Sequence, residues 1–357
     1  LFPKIAILAD HIRIMRSIIV ALPLLLLFAA CKSAKDRPDV SGIKVNLVVQ
    51  RFEQDLFGLD TNNMGPSLQA LAARYPGFLN DFLTNILGIP PGDPQRADIL
   101  RKFINDFRPV KETVDRQFRD FPAQSREVEQ MLKYVKHYFP SYPLPAKLIT
   151  FIGPMDAFYE ASLGWSGDII TTDGLGVGLQ MHLGASSPLY AEAGGQGYPQ
   201  YISRRFEPQY IVVNCARNIV DDMYPPPSGN RPLIEQMVDK GRRLYVLDRL
   251  LPDVADTLKI GYTGAQLAGS YKNEALIWNL FTGNNLLYET DYQKVKSFLG
   301  EGPKTPELGD DSPGYISLFA GWQIVKKYME DNPAVSLEQL MKTDPLRIFE
   351  ASKYKPK

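Results

Sequence analysis

The sequence predicts an α+β fold, mainly helical, on three observations. Apolar residues recur at helical spacing through residues 64–140 and again from 232 to 342. Strand character is confined to short runs: an alternation over residues 43–52 and a Pro- and Gly-bounded apolar run at 147–152. Between the two helical blocks stands a helix-forming stretch, 207–224, fenced by Pro208 and the run Pro225-Pro226-Pro227. The expected arrangement is a small β-sheet, then this central helix, then a C-terminal helical part.

The chain has 357 residues, with 45% hydrophobic and 22% charged, the balance of a globular protein. Forty basic residues face forty acidic ones, which argues against a broad nucleic-acid or anionic-membrane surface. The N-terminus differs from the rest. Met15-Arg16 gives a positive start and residues 17–30 are almost entirely apolar, too short for a comfortable membrane span. That is the layout of a secretory signal over 15–30. It ends Phe28-Ala29-Ala30-Cys31, which resembles the lipobox of bacterial lipoproteins with Phe where Leu is commoner. The resemblance implies that Cys31 becomes the lipid-modified first residue. Residues 1–14 then read as an upstream over-extension, 31–42 as the lipidated cysteine and a polar tether, 43–350 as a single domain, and 351–357 as a frayed basic tail. With Cys31 modified, Cys215 is the remaining thiol and no intramolecular disulfide is expected.

Within the domain, residues 43–52 predict a strand and 51–57 a turn of helix. Helices follow at 66–75, 77–87 (ended by Gly88 and Pro90-Pro91), 98–107, 112–121 and 125–139, the last with Ser125 as its cap. Residues 147–152 predict a buried strand, the Gly-rich 164–178 turns, and 177–183 another strand carrying His182. Residues 184–200 read as loop. Beyond the central helix, 232–251, 263–281, 291–299, 315–329 and 336–342 predict helices, the last capped by Ser336. No fixed-period repeat is present.

On the central helix Asn214, Arg217, Asn218 and Asp221 form one polar stripe, beside an apolar face of Ile211, Val212, Cys215 and Ile219. Two amides one turn apart on such a helix fit a half-buried structural helix, or the scaffold on which metal peptidases mount H-E-x-x-H. That chemistry needs two imidazoles, a carboxylate between them to activate water, and a third ligand on a later helix. Here Asn214 and Asn218 hold the ligand positions and Cys215 the base position. Lys240 stands on the next helix, where an acidic ligand is sought. Amide oxygens are poor ligands for Zn²⁺ and a thiol cannot replace the glutamate. No metal, cofactor or catalytic residue is therefore expected. The stripe and Lys240 remain candidates for a remnant cleft, with the Lys240 ammonium expected opposite Asn214 and Asn218. Arg204-Arg205 suit either an acidic partner or an internal ion pair.

Longer stretches carry a family resemblance. Residues 49–57 (V-x-R-F-E-Q-D-L-F), 176–184 (G-V-G-L-Q-M-H-L-G), 198–215, 233–252 and 313–329 resemble the GldB family of gliding-motility lipoproteins of Bacteroidota, and more distantly gluzincin-type predicted peptidases. The resemblance spans about 43–350. It implies a zincin-like fold with a degenerate active-site helix, since in the peptidase relatives His, Glu, His and Glu stand where this chain has Asn214, Cys215, Asn218 and Lys240. It implies a membrane-anchored lipoprotein of the cell envelope, supporting gliding motility or its linked secretion machinery through protein partners. Two further readings stand beside it: a lipoprotein binding peptide or glycan in the remnant cleft, and a peptidase with an unusual site.

Overall fold

Strand β1 (Val48–Arg51) pairs in parallel with β2 (Lys147–Phe151), which pairs in parallel with β6 (Gly174–Gly178). The antiparallel β5 (Ile169–Thr171) closes the sheet, in the order β1-β2-β6-β5. Between β2 and β5 a separate hairpin is formed by β3 (Tyr159–Ala161) and β4 (Gly164–Ser166). The computed structural model describes residues 37–192 and 197–356, so the expected signal at 15–30 and Cys31 lie outside the described residues. Residues Ile43–Lys357 pack as one unit.

The α+β, mainly helical class is as the sequence predicts. The boundaries differ where partners decide them. β1 begins only at Val48, because its partner β2 begins at Lys147 and residues 43–47 have nothing to pair with. Helices α1 (Phe52–Phe57) and α2 (Met64–Arg74) precede α3 (Phe78–Asp81), which runs on as one π-helical turn, Phe82–Ile86. α4 (Arg96–Asp106) and α5 (Arg108–Gln117) follow, the second starting earlier than expected with Pro109 in its first turn. α6 (Pro122–Tyr138) starts at Pro122. Ser125 is no cap, since its hydroxyl donates to the Pro122 carbonyl.

The third expected strand, 177–183, is displaced. β6 ends at Gly178, and Leu179–Met181 form a 3₁₀ turn that leaves His182 off the sheet. The 184–200 stretch contains α7 (Pro188–Glu192) and leads into α8 (Gln200–Ser203). The central helix is α9 (Tyr210–Met223), and Pro208 lies in the turn before it rather than in its first turn. After it come α10 (Leu233–Leu250), α11 (Asp256–Ile260), α12 (Gly264–Lys272) and α13 (Glu274–Gly283). A break at Asn273 divides the single helix expected over 263–281. α14 (Tyr292–Leu299), α15 (Ile316–Asp331), α16 (Leu337–Lys342) and α17 (Pro345–Ser352) complete the chain. Ser336 does cap α16, in a reciprocal capping box with Gln339.

One core lies where Phe52 meets Phe78 edge-on and Phe82 at a tilt, with Phe151 of β2 against Phe78 and Phe82. A second forms where α10 crosses α15. Gly241 and Gly321 face each other there, and a Cβ on either would overlap the backbone of the other helix. Side chains as large as the fully buried Trp322 surround this crossing, its Nε1 donating to Asp248 at 2.7 Å. No helix among the described residues is long and apolar enough to cross a membrane.

Candidate functional site

Ten of the fourteen α9 residues are buried, Asn214 and Arg217 among them, so the polar stripe is not a solvated face. Ile211, Val212, Cys215 and Ile219 form the apolar side as expected. The β3–β4 hairpin lies against α9, and its turn residue Ser162 reaches the stripe. Two polar clusters result, one towards each end of the helix.

The first centres on Asp168, buried just before β5. Its carboxylate accepts from Asn214 Nδ2 at 2.8 Å and from the Gly178 backbone N–H at 2.9 Å, and faces His182 Nε2 at 2.9 Å. The other ring nitrogen, Nδ1, lies 3.2 Å from the Glu207 carbonyl oxygen. Both ring nitrogens therefore face acceptors, and His182 is held at each end. Cys215 sits beside this cluster, and burial, then the Asp168 charge, push its thiol well above the ordinary range. A thiol so held stays protonated and unreactive. His137 is exposed on α6, in ring contact with Tyr138.

The second cluster centres on Asp221. It accepts from the Ser162 N–H at 2.8 Å, the Ser162 hydroxyl at 2.5 Å and Arg243 Nη1 at 2.9 Å. The Ser162 carbonyl in turn accepts from Lys240 Nζ at 3.0 Å and from the Tyr315 hydroxyl at 3.1 Å. Lys240 also donates to that hydroxyl at 2.5 Å and lies over the Tyr315 ring. Burial pulls the Lys240 ammonium down to about 8. Tyr315 takes part from a left-handed backbone, φ 61° and ψ 37°, which costs a bulky residue about 1–2 kcal/mol. The network of Lys240, Ser162 and Tyr262, whose hydroxyl donates to the Tyr315 carbonyl, holds it there. Lys240 is thus not bonded to Asn214 or Asn218. Its partners come from the hairpin and from the start of α15.

Arg217 joins neither cluster through a carboxylate. Its Nη2 donates to the Lys259 carbonyl at 3.0 Å, while burial, then the nearby Arg205 charge, bring it down to about 10. Arg217 Nε and Asn218 Nδ2 are buried without a hydrogen-bond partner among the described residues. Arg205 itself forms a two-pronged ion pair with Glu301, and Arg204 donates to the Gly261 carbonyl and Gln266, so this pair serves internal contacts.

Asn214 and Arg217 border a cavity of about 10 Å³, room for one water. Two amides, a buried protonated thiol and an ammonium do not compose a donor set for zinc. A much larger concavity lies elsewhere. A cleft of about 800 Å³ runs along β5 and includes Asp222 but none of Asn214, Cys215, Arg217, Asn218, Asp221 or Lys240. Sequence reasoning missed Asp168 and Ser162, which bond Asn214 and Asp221 of the stripe, and Tyr315, which bonds Ser162 and Lys240. Asp168 and Tyr315 stand 46 residues before Asn214 and 75 residues after Lys240 respectively, and neither belongs to a local motif.

No curated protein and no solved structure matches the chain. A family model described as gliding motility protein GldB matches residues 33–356. That span includes all of the elements above, from β1 to α17, and the two clusters that lock the central helix. The chain belongs to the GldB family of gliding motility proteins.

Proposed function

We propose that this chain is a non-catalytic lipoprotein of the cell envelope, anchored through Cys31, that supports gliding motility or its associated secretion machinery by binding other envelope proteins. Family membership supports the motility role. The non-catalytic reading rests on one observation: at the positions that would carry a zinc peptidase's machinery, Asn214 and Lys240 are committed to internal bonds and Cys215 is buried. Asn214 serves Asp168, Lys240 serves Ser162 and Tyr315, and Cys215 is buried and protonated. We read the fold as a degenerate relative of the zincins, retained as a rigid body while its site was reassigned.

The test is metal content and proteolysis of the purified protein after exposure to zinc and dialysis. The expected result is no retained zinc and no cleavage of unfolded casein above buffer. One zinc per chain, with cleavage abolished by His182→Ala, would overturn the reading.

A further inference from the structure

We propose that the open edge of β5 receives an extended, basic peptide segment of a partner protein as a fifth strand of the sheet. The inference rests on the partner-binding reading above and adds where and how the partner docks. It concerns the 800 Å³ cleft, not the closed stripe of α9.

β5 is the last strand of its sheet and pairs on one side only. Two residues, Thr172 and Asp173, close its hairpin with β6, and the register sets Thr171 opposite Gly174 and Ile169 opposite Gly176. A two-residue loop makes its flanking residues the pair that exchanges backbone bonds, and the exchange recurs every second residue. Thr171 and Ile169 therefore bond to β6. The N–H and C=O of Ile170 point away from the sheet, with no bond to a described residue. An unpaired edge is a template for another strand unless charge, proline or a covering element blunts it. Here Ile169, Ile170 and Thr171 are half-buried and line the cleft. The volume lies within the range of about 300–1,000 Å³ typical of ligand sites.

Charge selects the occupant. The cleft is lined by three carboxylates, Asp81, Asp173 and Asp222, and by no Lys, Arg or His. Asp173 accepts from the backbone N–H groups of Gly77 and Phe78, both through Oδ2. Asp81 accepts through Oδ1 from Asn85, and Asp222 accepts through Oδ2 from Tyr142. Each keeps one carboxylate oxygen without a partner among the described residues. Asp81 and Asp222 line the same cleft as β5, so a bound segment with a Lys or Arg gains an ion pair beside its ladder bonds, and an acidic one is repelled.

Full-length protein in detergent, immobilised and panned against a displayed random heptapeptide library, tests the proposal, with Ile170→Pro panned in parallel. Proline is tolerated on an edge strand where the lost N–H faces outward, so this variant should fold. The native chain should enrich peptides containing Lys or Arg. Their synthetic forms should bind at least tenfold more weakly to Ile170→Pro, and at least tenfold more weakly when alternate peptide nitrogens are methylated. The double variant Asp81→Asn, Asp222→Asn should lose the preference for basic peptides. Equal enrichment on both proteins, no enrichment, or selection of peptides without basic residues would overturn the proposal. Should Ile170→Pro fail to fold, hydrogen exchange at the Ile170 amide of the native chain decides: bound peptide must slow it. In a gliding host, deletion without effect on motility or secretion sinks the partner-binding reading itself. A deletion phenotype fully restored by Ile170→Pro sinks only the strand-docking site.

Discussion

Replacing Gly321 by Ala puts one methyl group where α10 and α15 cross. The new Cβ would lie 2.5 Å from the Met237 carbonyl carbon and closer still to its oxygen. Carbon atoms in contact sit about 3.5–4.0 Å apart, so the helices must separate by about 1 Å. Neither side of the contact is a side chain that can rotate away. Overpacking costs about 1–3 kcal/mol, and a backbone-on-backbone clash belongs at the upper end. Unfolding entropy of about 2.1 cal/mol/K per residue over roughly 300 residues gives about 0.6 kcal/mol/K, so a loss of ~3 kcal/mol lowers Tm by about 5 °C. Gly269→Ala is the matched control. It too lies inside a helix, but a Cβ there meets nothing within 4 Å, so the change should stabilise by about 0.5–1 kcal/mol. Calorimetry on both variants reads the difference in sign. A Gly321→Ala protein melting within 1 °C of the parent would refute the close crossing.

The polar clusters give three further expectations. Asp168→Ala leaves His182, Asn214 and the Gly178 N–H facing an emptied acceptor, and should cost about 3–5 kcal/mol in urea unfolding; a cost under 1 kcal/mol would mean the cluster is not formed. Lys240, held at about 8 by burial, binds its proton more weakly folded than unfolded. Stability should therefore rise between pH 8 and the unfolded value of 10.5, by up to about 3 kcal/mol, and Lys240→Met should remove that rise from the difference curve. Cys215 should resist iodoacetamide in the folded protein and react fully in guanidinium, as read by peptide mass; native-state labelling at the unfolded rate would contradict its burial.

Long amphipathic segments were legible in the sequence because their signals repeat over several turns. The prolines at 225–227 mark the end of α9, and Ser336 with Gln339 marks the start of α16. The strands β3, β4 and β5 have three residues each, too few for alternation to register. Asn273 breaks a helix without any glycine or proline to announce it. At the site, the spacing of Asn214, Arg217, Asn218 and Asp221 was readable because helical geometry is local. The partners of Asn214 and Asp221 were not, since Asp168 and Ser162 arrive from the distant segment that carries β3, β4 and β5. The same locality made Lys240 look like a neighbour of Asn214, whereas the chain's path gives it Ser162.

The pairing of β1 with β2 also sets a timetable. Val48 meets Lys147, so the helical block from α1 to α6 must be made before the first strand has its partner. At about 5–20 residues per second, that is roughly 5–20 s of synthesis during which no part of the sheet can close. The phenylalanines at 52, 78 and 82 have no strand to pack against until Phe151 emerges. Substitutions in this block should therefore show first as loss of soluble yield, by aggregation of the waiting chain, even where the finished protein melts at its normal temperature.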